Sequence, residues 1–161
     1  MKDLVIRKAK KSDMQQLLSM ITELAKFEKA QEQVQNSVEQ LQKDGFGGKS
    51  YFEALIAEHQ NQVCGYALFY EGYSTWKGVT LYLEDLMVRE PYRNKGIGEK
   101  LFKEIVNIAK QKKVKRLDWQ VLDWNKSAID FYKKQQAFLD GSWLNGRLFE
   151  KDLNAKKDEG I

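Results

Sequence analysis

The sequence predicts one α/β domain, a mixed central β-sheet flanked by helices, and three observations predict it. The chain has 161 residues, 42% of them hydrophobic, and a single proline, which suits one compact domain with a real core. Runs rich in β-branched and aromatic residues alternate with stretches whose apolar residues recur at helical spacing. One such run, residues 79–88, leads through Arg93-Asn94-Lys95-Gly96-Ile97-Gly98 into a stretch with Leu101, Phe102, Ile105, Val106 and Ala109 on one helical face.

A strand at about residues 4–9 comes first. Ser12-Asp13-Met14-Gln15 reads as a capping box, and the helix it opens carries Met14, Leu17, Leu18, Ile21, Leu24 and Ala25 on one face. Ser37-Val38-Glu39-Gln40 repeats the capping signal for a short second helix ending near Gly45. Two strands follow at roughly 51–58 and 63–71, joined by the polar turn around His59. After the strand at 79–88 and the helix at 98–112 come a strand from Lys115 to Val121 and a helix from Asn125 to Gln136. A last strand pair around 138–151 is expected to close the sheet, giving the order β-α-α-β-β-β-α-β-α-β-β. Residues 1–153 form the domain and 154–161 a flexible tail.

Composition excludes several classes of function. One cysteine rules out an internal disulfide framework; Cys64, between Val63 and Gly65, reads as a small core residue rather than a nucleophile. The one histidine, His59, leaves no Cys/His metal cluster and argues against a Ser-His-Asp triad, so no metal is expected. No run approaches the ~18–20 apolar residues of a membrane span, and residues 1–7 lack an apolar signal core. A cytoplasmic location and no membrane partner are expected. The net charge of +4 is spread over helix faces, at Lys100, Lys103, Lys110, Lys112 and Lys113, and over the tail. That distribution is not the concentrated stripe with stacking aromatics that nucleic-acid binding needs.

The turn from Arg93 to Gly98 points unpaired backbone N–H groups at one spot, at the positive end of a helix dipole. Glycine admits an anion close to the backbone, and Arg93 and Lys95 add charge, so the turn reads as a pyrophosphate site. An ordinary helix N-terminus is the alternative. Gly96-Ile97-Gly98-Glu99-Lys100-Leu101 lacks the third glycine of the dinucleotide fingerprint. Gly45-Phe46-Gly47-Gly48-Lys49-Ser50 lacks the first glycine of a P-loop, with a strand after it where a helix should follow. It reads as a helix stop and turn.

Further pieces fall in order along the chain: Val5-Ile6-Arg7, Glu23-Leu24-Ala25-Lys26-Phe27-Glu28, Asp44-Gly45-Phe46-Gly47, Leu81-Tyr82-Leu83-Glu84-Asp85, Tyr92-Arg93 with Gly96-Ile97-Gly98, Trp124-Asn125, Phe131-Tyr132-Lys133 and Arg147-Leu148-Phe149. With the element order they resemble the GCN5-related N-acetyltransferase superfamily. The closer likeness is to its spermidine/spermine N1-acetyltransferase branch, which includes thialysine-type enzymes. The resemblance implies an acetyl-CoA-dependent transferase acting on a primary amine of a small cationic acceptor (diamine, polyamine or lysine-like amino acid), and a homodimer. It places the backbone of Leu86, Met87 and Val88 against the pantetheine arm, as an added strand would lie. The amides of Asn94, Lys95, Gly96, Ile97, Gly98 and Glu99 would hold the pyrophosphate, with Arg93 beside them. Asn125, Lys126, Ser127 and Ala128 would meet the cofactor's far side.

The chemistry asks for a group that removes a proton from an ammonium of pKa ~10.4 and one that protonates a departing thiolate. Tyr132, a phenol protonated at pH 7, fits the second role, and the family likeness assigns it; a buried helix tyrosine with a structural hydrogen bond is the alternative. Glu84 and Asp85 stand side by side in an otherwise apolar strand, where they share a face only if the strand bulges. By resemblance Glu84 relays the amine proton through water and Asp85 is a second acidic contact; ordinary ion-pair partners are the alternative. Phe27, Glu28, Asp118, Trp119 and Gln120 map to acceptor contacts, although Trp119 would serve equally as sheet packing. Two departures, Lys29-Ala30 after Glu28 and Leu144 where a carboxylate is expected, remove contacts that a polycation would use. They favour a shorter acceptor, a diamine or a thialysine-like amino acid, with spermidine still among the candidates. A protein N-acetyltransferase and a non-catalytic acetyl-CoA sensor are the competing readings.

Overall fold

Five strands pair in chain order in the computed structural model, which describes residues 3–155: β1 (Leu4–Lys8), β2 (Glu53–His59), β3 (Gln62–Ser74), β4 (Gly78–Val88) and β5 (Leu117–Asp118). The first four are antiparallel neighbours, and β5 joins β4 in parallel, so the sheet is mixed as expected. The described chain divides into two compact units, up to Gln120 and from Val121 onward.

The first unit holds the sheet and three helices, α1 (Met14–Phe27), α2 (Val38–Phe46) and α3 (Ile97–Gln111). Period-two alternation sorts the strand residues between two faces. Met14, Leu17 and Met20 of α1 and Leu41 of α2 pack with Ala54, Ile56, Tyr66, Leu68 and Met87. Ile97, Leu101, Phe102, Ile105 and Ala109 of α3 are buried against the other face, where a Cβ on Gly65 would stand 3.4 Å from Leu101 Cδ1. α1 and α3 bury the faces read from the sequence, and α1 adds Met20 to its own.

One local reading changes. The capping box at Ser12 does not form; residues Lys11–Asp13 make a 3-10 turn in which the Asp13 carboxylate accepts from Lys10 N at 2.6 Å. Asp13 also takes Arg7 Nη1 at 2.7 Å and Nη2 at 3.0 Å, because Arg7 reaches it from β1. The second capping signal holds, with Ser37 Oγ accepting from Gln40 N. The stretch after α2 is a helix stop and turn, as read: Gly47 N donates to Lys43 O at 2.9 Å, and no helix follows before β2.

The second unit contains α4 (Lys126–Lys134) and α5 (Glu150–Ala155). The strand pair expected at 138–151 is absent among the described residues; a helix occupies the end of that range. A strand needs an edge to pair with, and an isolated hairpin is marginal in water. Here Phe138, Trp143 and Leu144 are 89%, 73% and 97% exposed, and Ser142 N folds back onto Asp140 Oδ1 at 2.9 Å. The end of the expected tail, residues 156–161, lies outside the described residues; 154–155 belong to α5.

Candidate functional site

The strand-pairing register of β3 and β4 creates the acidic site. Leu68 pairs with Asp85 and Phe69 with Leu83, so Glu84 is one extra residue on β4. Such a bulge turns two successive side chains toward the same face. Tyr66, Leu68 and Tyr70 share the α1 face of β3 by alternation, and both carboxylates meet them there. Tyr66 Oη donates to Asp85 Oδ2 at 2.8 Å, and Tyr70 Oη donates to Glu84 Oε2 at 3.2 Å. Tyr70 also stacks on Tyr82, their centroids 5.2 Å apart. The condition the sequence set for Glu84 and Asp85 to share a face is met.

Electrostatics follow from burial and like charge. Burial pushes the Asp85 carboxyl up to about 6, with help from Glu84 and Glu28 and against the Tyr66 hydrogen bond. Burial also raises the Glu28 carboxyl, at the C-terminal end of α1. The Tyr66 phenol sits well above its ordinary range through burial and then Asp85, and Tyr70 is raised to about 12 by burial and then Glu84. Both phenols therefore stay protonated donors. A phenol thus donates to each of the two bulge carboxylates.

Beyond the acids, β4 leads through a loop into the N-terminus of α3. β5 pairs only with Leu81 and Tyr82 of β4, so from Leu83 to Val88 that edge of β4 has no strand partner among the described residues. Leu86, Met87 and Val88 lie in this stretch. The loop then turns through Asn94 at φ 59° and Gly96 at φ 77°, and Gly96 caps α3. A left-handed glycine with open space around a would-be Cβ leaves its backbone approachable, and the first amides of α3 have no intrahelical acceptor. A phosphate group fits these donors. The two basic side chains brace the loop itself: Arg93 Nε donates to Val88 O at 3.0 Å and Lys95 Nζ to Pro91 O at 2.8 Å. The Arg93 guanidinium lies over the Phe27 ring at 5.4 Å, which brings the loop to the end of α1.

In the second unit, Asn125 caps α4, its side chain accepting from Ala128 N at 3.2 Å. Lys126 and Ser127 are exposed in the first turn, and Lys126 pairs with Asp130. Tyr132 is buried, its ring edge-on to Phe131 at 5.1 Å.

Within the first unit Phe27, Glu28, Glu84, Asp85 and the 93–99 loop thus come together. Asp118 is held by Arg116 Nε at 2.6 Å, and Trp119 meets Phe102 edge-on at 5.5 Å, the packing contact that was its alternative reading. Cys64 is buried with its thiol donating to Ala57 O, and burial raises it, as suits a core residue. Tyr66 and Tyr70 were not singled out by sequence, where they read as ordinary alternating strand residues; their four-residue spacing opposite two adjacent acids was the available signal. A cleft of about 470 Å³ beside Lys43, Asp44 and Tyr51 lies at the end of α2.

The profile of the acetyltransferase (GNAT) family matches residues 14–138. A relative from Bos taurus named thialysine N-epsilon-acetyltransferase is 44% identical over 137 residues, covering 80% of this chain and 81% of that protein. The Homo sapiens spermidine/spermine N(1)-acetyltransferase-like protein 1 is 33% identical over 82% of this chain and 20% of its own length. Among solved structures, an integron cassette protein from the mobile metagenome of V. cholerae superposes with TM-score 0.77 at 26% identity, covering 96% of this chain and 97% of that one.

Proposed function

Since this chain belongs to the acetyltransferase (GNAT) family and is an acyltransferase, we propose that it transfers the acetyl group of acetyl-CoA to a primary amine of a small cationic acceptor. Thialysine-like amino acids and short diamines come first and polyamines after them. The observation that carries the reading is the pair of carboxylates turned to one face by the β4 bulge and held by phenols, which leaves their charge for a cationic ligand. The name of the cattle relative supports the lysine-like acceptor, and Lys29 and Leu144, where polycation contacts would be, support a short one.

Acetyl-CoA supplies the activated acyl group, held at its pyrophosphate by amides from Asn94 to Glu99 and along its arm by Leu86, Met87 and Val88. Asn125 to Ala128 reach its far side. Glu84 takes the proton of the acceptor ammonium through a bridging water. The freed nitrogen forms the new C–N bond as the thioester C–S bond breaks, Tyr132 protonates the sulfur, and the second proton lost by the nitrogen restores the phenol. Overall an ammonium and a thioester become an amide, a thiol and one proton. Phe27, Glu28 and Asp85 hold the rest of the acceptor, with Asp118 to Gln120 lining it further along. Residues 1–153 constitute the catalytic domain. The exposed Phe138, Trp143 and Leu144 support a homodimer that covers them.

Purified protein is assayed for acetyl-CoA-dependent thiol release with spermidine, spermine, putrescine, 1,3-diaminopropane, lysine, thialysine and a basic peptide. Turnover with one or more small amines, with the acetylated amine identified by mass, is the expected result. Turnover with the peptide alone overturns it.

A further inference from the structure

Two phenol–carboxylate pairs stand beside each other on the α1 face of the sheet, and neither phenol has a part in the chemistry above. Tyr66 donates to Asp85 and Tyr70 to Glu84; the donors are four residues apart on β3, the acceptors adjacent on β4, and the bulge absorbs the mismatch. The pairs differ in depth. Tyr66 is fully buried and Tyr70 is 37% exposed. A phenol that occupies one carboxylate oxygen fixes the group's rotation and leaves the other oxygen for a ligand. In a buried setting the same hydrogen bond favours the charged carboxylate over the neutral acid.

We propose that Tyr66 is a positioning residue for acceptor selection: by donating to Asp85 it holds that carboxylate as an anion with one oxygen free to read a second cationic group on the acceptor. Tyr70 orients Glu84 in the same way at the reacting amine. The inference rests on the acetyltransferase reading. The titratable groups facing Asp85 are Glu28 from the end of α1, Glu84 on its own strand and Tyr66 from β3. Burial, Glu84 and Glu28 all favour the neutral acid there, and the Tyr66 hydrogen bond opposes them. Removing the hydroxyl leaves nothing in that set to keep Asp85 charged, so Asp85 turns neutral at a higher pH and the second cationic group goes unread.

The test compares kcat/KM for 1,3-diaminopropane and for propylamine between pH 5.5 and 8 in the wild-type protein and in Tyr66→Phe. Wild type is expected to prefer the diamine at pH 7 and to lose the preference as pH falls through about 6. Tyr66→Phe loses on the order of tenfold of that preference at pH 7, through KM for the diamine, while kcat for the monoamine changes less than about threefold. The preference that remains in the variant fades at a higher pH than in wild type. Asp85→Asn, with Tyr66 in place, removes the preference at every pH, and adding Tyr66→Phe to it changes the preference no further. Coenzyme A binding by calorimetry reports that each variant is folded, and Asp85→Asn decides the matter where Tyr66→Phe does not fold. A wild-type preference unchanged in Tyr66→Phe across the pH range, or retained in Asp85→Asn, overturns the inference and leaves the acetyltransferase reading intact. Absence of acetyl transfer by the wild-type protein to any amine overturns that reading itself.

Discussion

The two units of this chain treat their large apolar side chains in opposite ways. Up to Gln120, Leu17, Met20, Ile56, Phe69, Leu101 and Ile105 are at most 1% exposed. From Val121 onward Tyr132 is the one buried residue among those described, while Phe138, Trp143, Leu144, Leu148, Phe149 and Leu153 are all more than half exposed. In the first unit the hydrophobic effect acts within the chain, and the packed sheet is rigid enough to hold two carboxylates in a bulge. In the second unit the apolar surface is available to another molecule. The difference separates an acid site built within a packed sheet from a segment with exposed apolar side chains.

The largest expected contrast is between two leucines. Leu17→Ala removes a fully buried side chain under the sheet and costs about 2–5 kcal/mol by urea unfolding. Leu144→Ala, at a position 97% exposed, stays within about 0.5 kcal/mol in dilute protein. Equal costs at the two positions would erase the distinction between the units.

Asp13 sharpens the picture of the first unit. Its carboxylate accepts from Lys10 N and from Arg7, which also reaches Glu58 Oε2 at 2.9 Å, so Asp13→Ala costs about 2 kcal/mol. The Arg7 hydrogen bond holds the Asp13 carboxyl below its ordinary value. The stability it contributes is therefore full above the unfolded pKa of ~3.9 and is lost as pH falls below that toward the folded value. A wild-type-minus-variant stability difference that stays constant from pH 5 to pH 2.5 would contradict this.

Smaller still, Gly96→Ala puts a Cβ on a residue at φ 77° and costs about 1 kcal/mol. The same change weakens acetyl-CoA binding in calorimetry if the loop amides hold its pyrophosphate. Strain without any loss of affinity would detach the loop from cofactor binding.

Periodicity was enough to read α1 and α3, residue type the strands through β4, and a capping signal α2, because each is a regular element with local marks. What sequence could not supply came from pairing partners distant in the chain. The bulge at Glu84 depends on how Leu68 and Phe69 meet β4, so adjacency of two acids posed the question without answering it. The Asp13 cap was misread as Ser12 because Arg7 and Glu58 arrive from β1 and β2. Tyr66 and Tyr70 matter only through their hydroxyl partners. Apolar residues from 138 to 151 have the composition of strands, but a strand also needs an edge, and composition does not provide one.

The central claim is that Tyr132 acts as the general acid of the proposed acetyl transfer. The most direct measurement is kcat for the preferred small amine in Tyr132→Phe, alongside the affinity of that variant for acetyl-CoA. A fall in kcat on the order of 10² or more, with affinity unchanged, is the predicted result for a general acid. Unaltered kcat would contradict it and return Tyr132 to an ordinary buried helix tyrosine.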